Sequence, residues 1–146
     1  MALRLTAQRV TLISLGVDDI ERSSAFYEAL GWQAAETLPE VRFYRLKGLM
    51  LGLIGMDALA ADQGRPGIRL GTGAMTLAQN YPSPDEVDGA FAAAVAAGAV
   101  VLKEPENAYW GGYSGYFADP DGHVWEVAYN PFWPLDAEGY LAEADG

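Results

Sequence analysis

Residues 110–131 constrain the fold of this chain more than any other part of the sequence. They read WGGYSGYFADPDGHVWEVAYNP, in which two aromatic and apolar runs flank an Asp-Pro-Asp-Gly turn. Such runs on either side of a turn of this composition are typical of two antiparallel strands joined as a hairpin. The second run carries a single carboxylate, Glu126, between apolar neighbours. The sequence therefore predicts a β-hairpin with one acidic side chain on its second strand.

The rest of the chain is organised as one β-α-β-β-β pattern followed by a second. The first helix is predicted to begin at the N-cap Asp18, with Glu21 completing a capping box, and to end at Gly31. The second helix is predicted to begin at Ser83 and to end at Gly98. The predicted strands cover residues 10–17, 32–38, 41–46 and 49–54 in the first half, and 75–81, 100–103, 112–118 and 124–129 in the second.

This repeat divides one domain into four segments. Residues 1–56 form the first unit and residues 74–131 the second. Residues 57–73 are rich in glycine and other small residues and are predicted to link the units, and residues 132–146 form an acidic C-terminal tail.

The charge of the chain is unevenly distributed, with a net charge of −11. Residues 71–146 hold twelve acidic residues and one basic residue, Lys103, whereas residues 1–70 hold eight of each. Because phosphate contacts need Lys and Arg, a nucleic-acid partner is excluded. Acidity attracts cationic ligands, although it also serves solubility alone.

The sequence contains neither long apolar segments nor cysteine, and these two features bear on cellular location and on disulfide or thiolate chemistry. No apolar run approaches 18 residues, and the start, MALRLTAQRV, has no apolar stretch of signal-peptide length. The chain has no Cys, so it offers neither a disulfide nor a thiolate metal ligand. No membrane partner and a cytoplasmic location are predicted.

Three segments of the chain, residues 15–32, 80–101 and 110–131, resemble the vicinal oxygen chelate superfamily. This superfamily includes glyoxalases, bleomycin resistance proteins and extradiol dioxygenases. The resemblance implies an α+β fold in which paired βαβββ repeats form a curved mixed sheet around a pocket. It also implies a homodimer. The fold carries many chemistries, so it does not by itself specify a reaction.

Metal-using members of the superfamily place ligands on the first, fourth, fifth and eighth strands. The resemblance puts Leu12 and Thr76 at the first and fifth of these positions, and the fourth falls within residues 49–55, which contain no ligand side chain. Only Glu126, on the eighth strand, is retained. No metal or other cofactor is therefore predicted. An extradiol dioxygenase site needs two His and one carboxylate, and this chain has one His.

Glu126 is the candidate catalytic residue, because a carboxylate in an apolar pocket serves as a general base or anchors a ligand. The alternative is a carboxylate bound to a neighbouring backbone or hydroxyl group. Strand alternation places His123 on the opposite face from Glu126, as a surface histidine. The predicted ligand-binding residues combine strand positions with an aromatic, glycine-containing loop. They are Leu12, Ser14, Thr76, Tyr109, Trp110, Tyr113 and Glu126.

Three functions are consistent with these features. The first is metal-independent binding of a cationic or aromatic small molecule, similar to bleomycin resistance proteins. The second is a glyoxalase-like lyase or isomerase that uses Glu126, so whether the protein is an enzyme stays open. The third is a structural or partner-binding module whose vestigial pocket is filled by Leu12, Phe43, Met50 and Met56.

Overall fold

The computed structural model describes residues 8–143, within which the chain forms eight strands and three helices. Residues 1–7 and 144–146, which the sequence assigns to the first unit and to the C-terminal tail, lie outside the described residues. The strands are β1 (Leu12–Val17), β2 (Glu36–Leu38), β3 (Val41–Leu46), β4 (Leu49–Gly55), β5 (Thr76–Asn80), β6 (Val100–Asn107), β7 (Tyr113–Ala118) and β8 (Val124–Tyr129). The helices are α1 (Ile20–Ala29), α2 (Met56–Asp62) and α3 (Pro84–Ala96).

The strands form two four-stranded mixed sheets with the same internal arrangement. The first sheet has the order β1-β4-β3-β2, and the second has the order β5-β8-β7-β6. In each sheet the strand before the long helix pairs in parallel with the last strand, and the other pairs are antiparallel. The predicted α+β fold built from a repeated βαβββ pattern is confirmed.

The hydrogen bonds at the starts of α1 and α3 show which residues cap these helices. Ser83 caps α3 as predicted, because its hydroxyl accepts a hydrogen bond from the Glu86 amide at 3.3 Å. The prediction for α1 is wrong by one residue. The carboxylate of Asp19, and not that of Asp18, accepts from the amides of Glu21 and Arg22 at 3.1 Å. Both aspartates are of a residue type that suits an N-cap, but only Asp18 is followed three residues later by a Glu, so the capping-box pattern favours the wrong one.

Several predicted element boundaries differ from the structure. Residues 57–73 are not a linker throughout, since α2 occupies their first part. The run Asp57-Ala-Leu-Ala-Ala consists mostly of good helix formers, which the glycines after it obscure. Strand β2 covers only the end of the predicted 32–38 strand, and β6 continues four residues beyond the predicted 100–103 strand.

The described chain divides into two compact units whose limits do not follow the repeat. The first contains residues up to Ser24 and Trp32–Leu70, and the second contains Ala25–Gly31 with Gly71–Gly146. The end of α1 therefore belongs to the second unit. There, Phe26 of α1 and Phe91 of α3 each lie with a ring centroid 6.4 Å from that of Phe117.

No helix formed by residues 8–143 has both the length and the apolar character that crossing a membrane requires.

Candidate functional site

Alternation along β8 fixes the position of Glu126. Trp125 and Val127 are buried, and Trp125 contacts Tyr27 of α1 at a centroid distance of 6.1 Å. We call this side of the second sheet, on which α1 and α3 pack, the helix face. Glu126 is half-buried and lies on the other side, which we call the Glu126 face.

Tyr116 is the closest polar neighbour that the strand register gives to Glu126. The two residues lie opposite each other on β7 and β8, and paired residues share a face. Burial, and then the charge of Glu126, raise the pKa of the Tyr116 hydroxyl above its ordinary value. Tyr116 is not among the ligand-binding residues that the sequence predicts. The sequence does contain a signal for this pairing. Counting an equal number of residues outward from Asp119 and from His123, which flank the turn, places Tyr116 opposite Glu126.

Tyr113 does not lie with Glu126, although the sequence groups the two. Position 113 is on the helix face, as is Phe117, four residues further along β7. The Tyr113 hydroxyl donates to the Asp88 carboxylate of α3 at 2.6 Å, and this hydrogen bond raises its pKa. The Tyr113 side chain is therefore hydrogen-bonded to α3 and lies on the face of the second sheet opposite to Glu126.

The loop before β7 divides the other two aromatic candidates. Tyr109 is fully exposed, and its hydroxyl contributes to the raised pKa of Tyr116. Trp110 instead folds back over Gly112, where a Cβ would clash with the indole and with the carbonyl oxygen of Tyr129. Tyr109 is therefore the aromatic residue of this loop that is available beside Tyr116.

Strand β5 supplies the remaining candidate of the second unit. In its parallel pairing with β8, Thr76 lies beside Val124 and Ala78 lies beside Glu126. The exposed Thr76 therefore shares the Glu126 face, displaced by two residues along the strand from Glu126 itself. The carboxamide of Gln79 accepts a hydrogen bond from the Tyr81 hydroxyl at 2.9 Å and belongs to the opposite face.

The first unit contains Leu12 and Ser14, which pair with Met50 and Gly52. A Cβ at Gly52 would lie 3.1 Å from the Phe43 ring and 3.7 Å from Cδ1 of Leu12. Leu12 and Phe43 therefore lie close to Gly52, which is the strand partner of Ser14. A Cβ at Gly16, on the same face, would lie 2.6 Å from Sδ of Met56. On the face of the first sheet that contains Gly16 and Gly52, the glycines thus leave room for other side chains. Leu12 and Phe43 lie over Gly52, and Met56 lies over Gly16.

His123 belongs to the hairpin turn. Its amide donates to Oδ1 of Asp119 at 2.9 Å, and its carbonyl accepts from the Asp119 amide at 2.9 Å. His123 is half-buried and directly precedes β8, two residues before the buried Trp125. The backbone of His123 thus has a structural role in closing the hairpin.

The side chains that the resemblance places at the family's metal-ligand positions do not form a ligand set. Leu12 is apolar, β4 contains no ligand side chain, and Thr76 offers only a hydroxyl. Within residues 8–143, no group of three or more His, Cys, Asp and Glu side chains is arranged to hold a metal ion. The residues present therefore do not fit the metal centre of glyoxalases, which takes His, Gln or Glu ligands.

Solved structures similar to this chain support the same fold. A crystal structure of a glyoxalase-related enzyme from Fulvimarina pelagi is 39% identical, with a TM-score of 0.87 over 94% of this chain and 99% of that chain. Lactoylglutathione lyase from Agrobacterium tumefaciens is 24% identical, with a TM-score of 0.68 over 90% and 100%. A glyoxalase/bleomycin resistance protein/dioxygenase family enzyme from Burkholderia phytofirmans PsJN is also 24% identical, with a TM-score of 0.71 over 82% and 96%. The last two likenesses concern the fold alone.

The sequence itself matches a family model over most of its length. The model describes the Glyoxalase/Bleomycin resistance protein/Dioxygenase superfamily, and the match covers residues 9–127. No curated protein matches the chain. The family match spans both sheets and includes Glu126. The chain therefore belongs to the glyoxalase/bleomycin resistance protein/dioxygenase superfamily.

Proposed function

We propose that this protein binds a cationic or aromatic small molecule without a metal ion, in a manner similar to bleomycin resistance proteins. The observation that carries the proposal is the setting of Glu126. Its register neighbours are Ala78 and Tyr116, and neither is a common ligand of divalent metals. These neighbours support a role for Glu126 as a carboxylate that anchors a ligand.

The charge of the second unit supports a cationic ligand. Lys103 is the only basic residue after position 70, and it forms an ion pair with Glu106 at 3.0 Å. An excess of carboxylates produces a negative potential that raises the local concentration of cations. A ligand that also carries a ring finds exposed aromatic area at Tyr109.

A ligand screen tests this proposal. Intrinsic tryptophan fluorescence is recorded with a panel of cationic, neutral and anionic aromatic compounds at micromolar concentration, in the presence of a chelator. We expect a saturable change with at least one cationic or aromatic compound and a weaker response in Glu126→Gln, which keeps the shape of the side chain. Unchanged fluorescence across the panel would overturn the proposal.

A glyoxalase-like lyase or isomerase is the second candidate. It is favoured by the 39% identity to a protein described as a glyoxalase-related enzyme, together with Glu126 at the eighth-strand position. Its test is turnover of 2-oxoaldehyde substrates by wild-type protein and by Glu126→Gln. Turnover that the substitution abolishes would establish the enzyme, and equal turnover would remove Glu126 from the reaction.

A structural module is the third candidate, and the first unit offers an observation for it. Leu12 and Phe43 contact the backbone at Gly52, and Met56 contacts it at Gly16. Side chains of the protein itself thus occupy part of the face where the resemblance puts a pocket. Absence of any ligand in the screen, with a folded protein, would favour this function.

A further inference from the structure

We propose that Tyr116 positions the Glu126 carboxylate, and that the pair forms a subsite for an organic cation whose charged group carries N–H donors. Amidinium, guanidinium and primary ammonium groups belong to this class. The inference rests on the proposed binding function and adds to it a positioning residue and a charge requirement at one place on the second sheet.

The strand register gives the pair its geometry. Tyr116 and Glu126 occupy opposed positions in the middle of β7 and β8, where each strand has neighbours on both sides. Side chains on such a pair start about 4.5 to 5.5 Å apart at Cβ, which lets them interact directly. A side chain fixed to two paired central strands is held more rigidly than one on a loop.

In this proposal the Tyr116 hydroxyl donates to the Glu126 carboxylate across the strand pair, and such a bond leaves acceptor capacity on the carboxylate. A phenol supplies one O–H donor, whereas a carboxylate accepts at about four lone-pair sites. A phenol is protonated at neutral pH, so the Tyr116 hydroxyl acts as the donor and the Glu126 carboxylate as the acceptor. Tyr116 therefore orients Glu126 while lone pairs remain for the N–H groups of a ligand, which form strong charge-assisted hydrogen bonds with a carboxylate.

No basic side chain neutralises this carboxylate within residues 8–143. Lys103 is the register partner of Tyr116 on β6, but its ammonium binds Glu106 at 3.0 Å. Among the described residues, neither the ion pair of Arg42 with Glu21 nor that of Lys103 with Glu106 involves Glu126. A cation therefore gains an attraction there that a neutral ligand of equal shape lacks.

Aromatic rings accompany the carboxylate. Tyr116 shares the face of Glu126, and the fully exposed Tyr109 lies in the loop that leads into β7. Cations are attracted to the faces of such rings. A flat cation that combines N–H donors with a ring therefore matches both the carboxylate and the tyrosines.

The test uses three probes of nearly equal shape and different charge. Benzamidine is a flat cation with N–H donors, benzamide is its neutral counterpart, and benzoate is the anion. Affinities are measured from ¹H–¹⁵N shift changes at neutral pH in wild-type protein, Glu126→Gln and Tyr116→Phe. The matched control is Tyr113→Phe, which removes a hydroxyl from the same strand on the opposite face.

We expect wild-type protein to bind benzamidine at least about tenfold more tightly than benzamide, and to bind benzoate least. Glu126→Gln should bring the ratio of the benzamidine and benzamide affinities close to one. Tyr116→Phe should weaken benzamidine binding about threefold to tenfold and leave benzamide binding unchanged. Tyr113→Phe should leave the ratio at its wild-type value. A merely structural effect of Tyr116 would change both affinities alike.

Three results would overturn the inference: equal binding of benzamidine and benzamide, an equal loss in Tyr113→Phe, or no saturable shift with benzamidine. The ¹H–¹⁵N spectrum of each variant reports whether it is folded, and Tyr116→Phe decides the question if Glu126→Gln is not. If a neutral compound from the fluorescence screen binds and benzamidine does not, the cation subsite is wrong and the binding function stands. If no compound binds in either experiment, both proposals fail.

Discussion

Asp119 joins three parts of the second unit through one buried carboxylate. Its Oδ2 accepts a hydrogen bond from the Tyr27 hydroxyl at 2.6 Å, and its Oδ1 accepts from the amides of Asp121 and His123 at 2.9 Å. The Tyr27 hydroxyl in turn accepts from Nε1 of Trp125 at 3.0 Å. Because Asp119 is only 1% exposed, these bonds replace its hydration. The network connects α1, the hairpin turn and β8.

The Tyr27 hydroxyl is expected to contribute strongly to stability. Tyr27→Phe removes a donor to a buried carboxylate and the acceptor of the Trp125 indole, so we expect the free energy of unfolding to fall by about 2 to 3 kcal/mol. Urea denaturation with an unchanged m-value measures it. Tyr113→Phe, which loses an exposed bond to Asp88, is the control and should cost less than about 1 kcal/mol. Equal losses in the two variants would contradict this role of the network.

Tyr27 should also make stability depend on pH in the alkaline range. Burial, and then the charge and hydrogen bond of Asp119, raise its pKa above the ordinary value of 10.0. Above that value the unfolded chain releases the phenolic proton while the folded chain keeps it, so stability is present below pH 10 and is lost as pH rises further. We expect Tyr27→Phe to reduce the slope of unfolding free energy by about 1.4 kcal/mol per pH unit between pH 10 and 11.5. An unchanged slope would show that Tyr27 ionises equally in both states.

At the level of helices and strands, local chemistry determines how much the sequence predicts. The start of α3 follows from Ser83 with Pro84 and Glu86, and the hairpin follows from the turn beginning at Asp119, because each signal lies within a few residues. Helix α1 presents two aspartates in succession, so its cap was predicted one residue early. Helix α2 was missed because the glycines after it dominate the composition of residues 57–73.

The candidate site was harder to predict, because it depends on which face of a strand each residue occupies. Glu126 and the alternation around it were predicted from β8 alone. Tyr113 and Tyr116 belong to one aromatic run on β7, and only the pairing of β7 with β8 places Tyr116 beside Glu126 and Tyr113 on the helix face. The packing of the Trp110 ring over Gly112 depends on the conformation of this loop, which the residue types alone do not predict.

The cap of α3 provides a stability prediction for a single element. Ser83→Ala removes the acceptor for the Glu86 amide, so we expect a loss of about 1 kcal/mol in thermal or urea unfolding. Ser23→Ala is the matched control. The buried Oγ of Ser23 has no hydrogen-bond partner among residues 8–143, so its removal should leave stability unchanged or increase it. A greater loss in Ser23→Ala than in Ser83→Ala would contradict this assignment.

For the molecule as a whole, the two units share a strand order and differ in the chemistry of their sheets. The face of the first sheet that contains Gly52 carries Leu12 and Phe43, whereas the corresponding face of the second carries Glu126 and Tyr116. The two sheets thus share a strand arrangement and carry different side chains on corresponding faces. The binding function that we propose depends on the second of these faces.

Self-association is a second property of the whole molecule, and the homodimer stays a prediction of the family resemblance. The described residues expose large apolar side chains, among them Val100 and Leu102 of the edge strand β6 and Val10 before β1. A second copy of the chain would remove such area from water, which favours association. We expect sedimentation velocity at micromolar concentration to give twice the mass of 15.7 kDa. A monomer over the full concentration range would contradict the prediction.

Metal content tests the central claim most directly. The protein is purified without a chelator or a histidine tag, dialysed against Mg²⁺, Mn²⁺, Ni²⁺ and Zn²⁺ in turn, and then freed of unbound ions. Elemental analysis is compared with the protein concentration. Because Glu126 lacks partner ligands at the family's other metal positions, we expect each metal to remain well below one ion per chain. Retention of about one ion per chain would contradict metal-independent binding and would make the lyase or isomerase the leading function.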